Sequence, residues 1–457
     1  MSPPHTETGN SPVPVPEASP MAQSAASPCQ EGDQSLDDSQ DLSASMSQDE
    51  DVDGVDLVNR DAGGWTLLTL PPEILLNIIS FLDARVVVHR LSLVCKELHR
   101  LISNDATWKI RIGKRWPKQY PVTPVDDSKF NWQLACMERE EQYRLWSDPA
   151  KTEHFELTSG HFGEIDSVHL MQGGDLCISG SRDRSFHLWD LRKLDASNRQ
   201  GSIDAAKLKS VGGHKGWVWH ITSRDNIMCT ASWDQWVKLW DINADCTAPT
   251  QGFRGSSAFL CSVLHQNEVH AGAYDKHIYM FDRRDDNQSS KLRLHKMPVL
   301  CLASDNDYII SGSEDMTIAV FDRRAGKLLK KIELDKFPMC MSYGLGQLWV
   351  GRKDGKVNVI DPTQGKFDIV QTYDVGHESK VTGILHSLGS VVTCSTDRTI
   401  KIHEPNHDPS PIRTIEHTTS LSAIHTNNGV LAAGGSDQSV NIWRPTRDEE
   451  QPRLESG

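Results

Sequence analysis

The sequence has no run of about 18 apolar residues, the length a membrane-spanning helix requires. Its start, MSPPHTETGN, lacks the charged and apolar segments of a secretory leader, so a cytoplasmic and/or nuclear location is expected. Ten cysteines are scattered singly with no Cys-x-x-Cys pair, which provides neither the usual zinc motif nor a disulfide framework. There is no Gly-x-x-x-x-Gly-Lys-Ser/Thr loop to cradle phosphate and no His-Glu-x-x-His helix, and GLGQLW near Gly344 is a dinucleotide-loop fragment without its last glycine. An enzyme is therefore the least supported reading; no catalytic residue, no metal and no cofactor is expected. Basic residues are missing from the first 59 positions, where twelve acids account for 12 of the net charge of −14. The remainder is close to neutral, which argues against a nucleic-acid or membrane surface.

That acidic, Ser- and Pro-rich stretch holds too little apolar surface to offset its ordering entropy, and residues 1–60 are expected to be a disordered tail. Its Ser-Pro pairs make Ser11, Ser19 and Ser27 candidate phosphorylation sites, with an inert flexible tail as the alternative.

What is present begins at Leu67. Pro72 and Glu73 stand where a helix starts, since proline at the first position loses no needed donor and an acid there complements the helix dipole. Ile74, Leu75, Ile78, Ile79 and Leu82 recur with helical spacing. Asp83 caps a second helix carrying Val87, Leu91, Val94, Cys95 and Leu98, and a third short helix holds Trp108. So much apolar surface in a short segment requires completion by a partner or by the following linker, an ordinary helical subdomain being the plainer reading. Leu70-Pro71, Glu73-Ile74, Ile78, Phe81-Leu82, Leu91, Val94-Cys95 and Trp108 resemble the F-box motif nearly position for position. The resemblance implies docking of the Skp adaptor of a cullin-RING ubiquitin ligase, with Leu70, Pro71, Ile74, Leu75, Ile78, Leu82 and Leu91 as adaptor-binding residues.

Further on, one aspartate returns seven times, as Asp183, Asp234, Asp275, Asp315, Asp354, Asp397 and Asp437. A large residue follows each six positions later, among them Trp189 and Trp240, and a histidine precedes most of them, among them His161 and His214. These units resemble WD repeats, four short strands per propeller blade, over residues 152–446. His161, Asp183 and Trp189, with His214, Asp234 and Trp240, are then a structural tetrad joining turn to strand, because recurrence in blade after blade suits a buried network and not catalysis. The segment Glu153–Leu157 is expected to supply the fourth strand of the last blade and lock the ring. The third unit has Gly255-Ser256 in place of the histidine and the fifth has Leu334, so these blades are expected to be tied less tightly. A polar insertion, Lys193 to Ser202, is expected to be a surface loop.

The fold class follows as mainly β: a seven-bladed WD-repeat propeller at 151–446, preceded by a small all-α F-box module at 67–112 and the disordered tail. A helical linker at 113–150, with Phe130, Leu134, Met137 and Leu145 near helical spacing, is read as a stiff spacer, and 447–457 as a C-terminal tail. WD propellers read partners on the face carrying the turn aspartates. There the sequence places the aromatic residues Trp217, Trp219, Trp233 and Tyr274, either a binding surface or blade-to-blade packing, and only two cations at the position before the aspartate, Arg182 and Lys353. Phosphopeptide reading, which needs clustered arginines, is not expected. These six are the candidate substrate-binding residues. The implied role is substrate recognition for a Skp-cullin-F-box ligase, the alternative a WD scaffold without ubiquitin transfer.

Overall fold

The computed structural model describes residues 67–446 apart from 127–128, 245 and 286–288. The acidic tail with Ser11, Ser19 and Ser27, and the tail 447–457, lie outside the described residues.

The helical module is built from α1 (Pro72–Ile79), α2 (Ala84–His89), α3 (Lys96–Ile102) and α4 (Asp105–Arg115). Proline opens α1, and the Asp83 side chain accepts from the Arg85 N–H to cap α2, as the sequence indicated. The expected second helix is broken after His89: a single 3-10 turn spans Leu91–Leu93 and the chain resumes as α3, so Trp108 belongs to a fourth helix. Three β-branched valines in a row at 86–88 favour an early end to α2. Leu75, Ile79, Val87, Leu98, Ile102, Trp108 and Ile112 form the module's core. The linker completes it, because Trp132, Ala135 and Cys136 of α5 (Trp132–Ser147) belong to the same cluster.

Helix α5 corrects the spacer reading. Its far end inserts Leu145 and Trp146 into the core of the last two blades, so one helix is shared by both modules and the two are packed directly together. Of the linker's apolar pattern Phe130 and Met137 pack against the module core and Leu145 is buried, while Leu134 is exposed; the buried face also holds Arg139 and Glu140, which no hydrophobic periodicity can reveal. Arg139 stacks at 4.3 Å on both Trp116 and Tyr120 and donates from Nη2 to Asn406 of the sixth blade at 2.8 Å.

Seven four-stranded antiparallel sheets make the ring. The strand Thr152–Leu157 pairs with Val440–Pro445, closing it as the sequence required. The insertion is not a loop: it forms α6 (Arg199–Ala206), and Leu194, Ile203 and Ala206 join Phe155, Leu157 and Ile442 in one buried cluster. Arg199 and Arg444 both lie over the Phe155 ring, and Arg444 donates to the Leu191 and Leu194 carbonyls. The insertion therefore covers the closing seam, the one place where the ring depends on strands far apart in sequence.

Each blade has its seven-fold turn aspartate at one end of the strands and its first-to-second-strand turn at the other. Tyr120 donates to the Leu388 carbonyl at 3.0 Å and Thr123 to that of Gly346 at 3.1 Å, both in turns of the second kind. A Cβ on Gly389 would lie 2.6 Å from the Glu138 carbonyl of α5. The helical module is thus seated on the face opposite the turn aspartates, under blades five to seven.

Candidate functional site

In the first blade His161 spans Asp183 (Nδ1, 2.8 Å) and Ser179 (Nε2, 2.8 Å), and Trp189 donates to the same Ser179 hydroxyl at 3.0 Å. In the second, His214 bridges Asp234 and Thr230 at 2.9 and 2.7 Å, with Trp240 donating to Thr230 at 2.9 Å. His161, Asp183 and His187 offer ligand atoms within 4.8 Å of one another. Both His161 nitrogens are already engaged by Asp183 and Ser179, so this cluster has the geometry of the network.

The two atypical blades replace the histidine with other donors. In the third, Ser256 and Tyr279 both donate to Asp275, at 2.9 and 2.6 Å; in the fifth, Arg352 donates from Nε to Asp354 at 2.9 Å. The looseness expected of them is therefore made up by side chains the repeat pattern does not specify.

These networks set a pH dependence. Burial pushes the Asp234 carboxyl up, but bonds from His214, the Lys215 N–H and the Trp236 N–H outweigh it and bring it to about 2, below its ordinary 3.8. Burial pulls His214 and His377 below 6.5 against the opposing pull of their aspartates. The signs agree. A carboxylate with a depressed pKa stabilises the fold above 3.8 and loses that contribution as pH falls toward 2; a histidine held neutral favours unfolding once the unfolded chain protonates below 6.5. The urea midpoint is expected to fall steadily as pH drops from 6.5 to 2, and a midpoint independent of pH across that window would contradict the assignment.

On the turn face the sequence-named aromatics do come together. Trp233 lies 5.4 Å from Trp217, 5.7 Å from Trp219 and 6.0 Å from Tyr274, ring centre to ring centre. Trp217, Trp233 and Tyr274 are 41 %, 38 % and 54 % exposed, so each presents a ring surface to solvent besides its contacts to the neighbouring blade. Arg182 extends the patch, with its guanidinium 5.3 Å from the Trp217 ring and 5.6 Å from Trp219. It donates from Nε and Nη2 to Asp166 at 3.0 and 3.1 Å and pairs with Glu164. Lys353 stands apart, over Phe337 at 4.4 Å in the fifth blade, and does not join the cluster. Trp219 and Arg182 also line the mouth of a central cavity of about 370 Å3.

At the other end, the candidate adaptor-binding residues divide. Pro71, Ile74, Ile78 and Leu82 are exposed, and Leu70 and Leu91 are half-buried. Leu75 is 7 % exposed and belongs to the module's core, beneath the exposed apolar side chains. Sequence reasoning left out of the docking set the three most open apolar side chains of the module, Phe81 at 84 %, Leu93 at 78 % and Val94 at 69 %. Phe81 follows the end of α1, and Leu93 and Val94 sit at the break after α2, so their exposure depends on where the helices end, which the sequence pattern placed differently.

Comparison with known proteins places these features. Residues 67–111 match the F-box-like family model, and residues 153–190, 206–241, 287–322, 367–404 and 409–444 match the WD domain, G-beta repeat model. The substituted networks of the third and fifth blades, at Ser256, Asp275 and Tyr279 and at Arg352 and Asp354, fall outside those stretches. The chain is 39 % identical to human F-box/WD repeat-containing protein 9 over 83 % of this chain and 82 % of that one. It is 42 % identical to the bovine protein of the same name over the same shares. It is 27 % identical to F-box/WD repeat-containing protein mec-15 of Caenorhabditis elegans, over 84 % of this chain and 98 % of that one.

Proposed function

Because the chain belongs to the family of F-box/WD repeat-containing proteins, we propose that it is the substrate-recognition subunit of a Skp-cullin-F-box ubiquitin ligase. The observation that carries this is an apolar surface left over on a module whose core is already complete. With Leu75, Ile79, Val87, Leu98 and Trp108 satisfied inside, Ile74, Ile78, Phe81, Leu82, Leu93 and Val94 still face outward. Exposed apolar groups in such number mark an interaction site. The F-box resemblance makes the Skp adaptor its partner, with the cullin core beyond it.

The propeller then holds the target by the aromatic patch, on the face turned away from the adaptor. No bond chemistry falls to this chain. Its contribution is proximity: a target fixed on a rigid two-module body is presented to a ubiquitin carrier at raised effective concentration. Helix α5, buried in both modules, supplies the rigidity.

Expression of the tagged chain in cells should co-purify the adaptor and a cullin. Recovery of neither would leave a WD scaffold and remove the ligase reading. Changing Trp219 and Trp233 to Ala should abolish target capture, since truncating a hot-spot aromatic costs about 2 kcal/mol or more. Adaptor binding and melting temperature should stay near the parent's. Undiminished capture by that double variant would move the target site elsewhere.

A further inference from the structure

We propose that the turn face of blades one to four captures an unmodified acidic segment, an extended peptide in which large apolar residues alternate with carboxylates. The proposal rests on the propeller being the target-binding module and names the class of target.

The apolar surface here is wider than the four aromatics. Phe162, Met297 and Met316 are 89 %, 41 % and 46 % exposed, and all three lie in turns of this face. Met316 is held outward by a left-handed backbone (φ 63°) directly after the turn aspartate. With Trp217, Trp233 and Tyr274 they form a stripe across four consecutive blades, whereas the corresponding positions of blades six and seven carry Thr396 and Ser436.

Charge decides what fits the stripe. Its acids are paired or sunk: Glu164 and Asp166 pair with Arg182, while Asp183, Asp234 and Asp315, bonded to their histidines, and Asp275, bonded to Ser256 and Tyr279, keep their charge but are only 11 %, 7 %, 7 % and 25 % exposed. Glu314 has no hydrogen-bonded or ion-pair partner for its side chain among the described residues. Apart from Arg182, the cations are unpaired and stand at the surface. Arg184, Lys215, Lys276 and Lys296 stand in the same turns, one per blade, and none of their side chains is in an ion pair among the described residues. Lys215 and Lys296 follow the tetrad histidines, and neither lines the central cavity that Trp219 borders. The surface is an aromatic interior with a cationic rim, which repels a basic partner and attracts an acidic one.

A phosphate is a poorer match than separate carboxylates. Dianion recognition needs convergent free guanidiniums; that of Arg182 is already bonded to Asp166 and Glu164, and Arg184 is the one arginine among the four unpaired cations. Four single cations spaced blade by blade suit several single charges along a chain. An extended peptide sends successive side chains to opposite sides, so apolar residues can face the rings while carboxylates face the rim.

The test uses the full chain and fluorescein-labelled peptides in which Phe and Leu alternate with Glu, Gln or Lys, read by fluorescence polarisation. The parent should bind the Glu peptide at least about tenfold tighter than the Gln peptide, with the advantage shrinking as salt is raised. The K215E/K296E variant should lose that preference and keep its affinity for the Gln peptide. Equal affinity for all three peptides, including binding of none, or a preference unchanged in K215E/K296E, overturns the proposal. The underlying reading fails separately: if the Trp219→Ala, Trp233→Ala variant binds the peptides as the parent does, the aromatic patch is not the target site.

Discussion

Replacing Ile78 and Phe81 together by Asp is expected to abolish recovery of the Skp adaptor and cullin while leaving the melting temperature within a degree or so of the parent. The two side chains are 41 % and 84 % exposed, and surface changes away from caps and buried networks alter stability by only about 0.5 kcal/mol. A buried apolar anchor at an interface is worth about 2 kcal/mol or more, and a carboxylate forced into the contact adds its own desolvation cost, so the adaptor affinity should fall by about a thousandfold. Leu75→Ala makes the contrast. That residue is 7 % exposed within the module's core, and its truncation should cost about 2 to 5 kcal/mol of stability. Loss of the adaptor in Leu75→Ala therefore reports unfolding, and loss in the Asp variant reports the surface. Adaptor recovery by a folded Ile78→Asp, Phe81→Asp protein would place docking on another face.

That contrast also shows where sequence reading stops. Helical spacing put Ile74, Leu75, Ile78, Ile79 and Leu82 on one helix, which ends at Ile79, and nothing in the spacing tells which of them meet the other helices. The ring was legible because its grammar repeats: seven aspartates, each with a large residue six positions on, specify both the blade and its turn, and Glu153–Leu157 was the strand left over. The aromatic patch was legible for the same reason, since the repeat assigns Trp219, Trp233 and Tyr274 to known places in known blades. The partner of Arg182 needed the structure. Asp166 lies sixteen residues earlier on another strand, and its bidentate contact neutralises the Arg182 guanidinium. Helix α6 and the inward Arg139 and Glu140 were hidden by polarity: a sequence such as RQGSIDAA reads as a loop until the closing seam beneath it is seen.

Glu140→Ala is expected to lower stability by about 3 to 5 kcal/mol, the usual cost of stranding a buried charge. The Glu140 carboxylate is 3 % exposed and accepts from Arg111 Nε at 2.8 Å and Nη2 at 2.9 Å, and from the Ala84 N–H at 2.9 Å. Arg115 adds an ion pair at 3.1 Å. Arg111, itself 6 % exposed, also donates to the carbonyls of Ile79 and Leu82, at the C-terminal end of α1 and beyond it. One carboxylate on α5 thus ties together the start of α2, the end of α1 and α4. Removing it leaves a guanidinium without its counter-ion at the joint between the docking surface and the helix that enters the propeller. The propeller core contains none of these groups, so its own unfolding should be little changed. Two separated transitions in urea are therefore expected, the helical module melting first, where a single joint transition is expected of the parent. Between them the ring would keep its target while the docking surface is lost, and ubiquitin transfer should fail although target capture persists. A single transition at the parent's midpoint would mean that the joint is held by the Arg139 stack and the Leu145–Trp146 insertion alone.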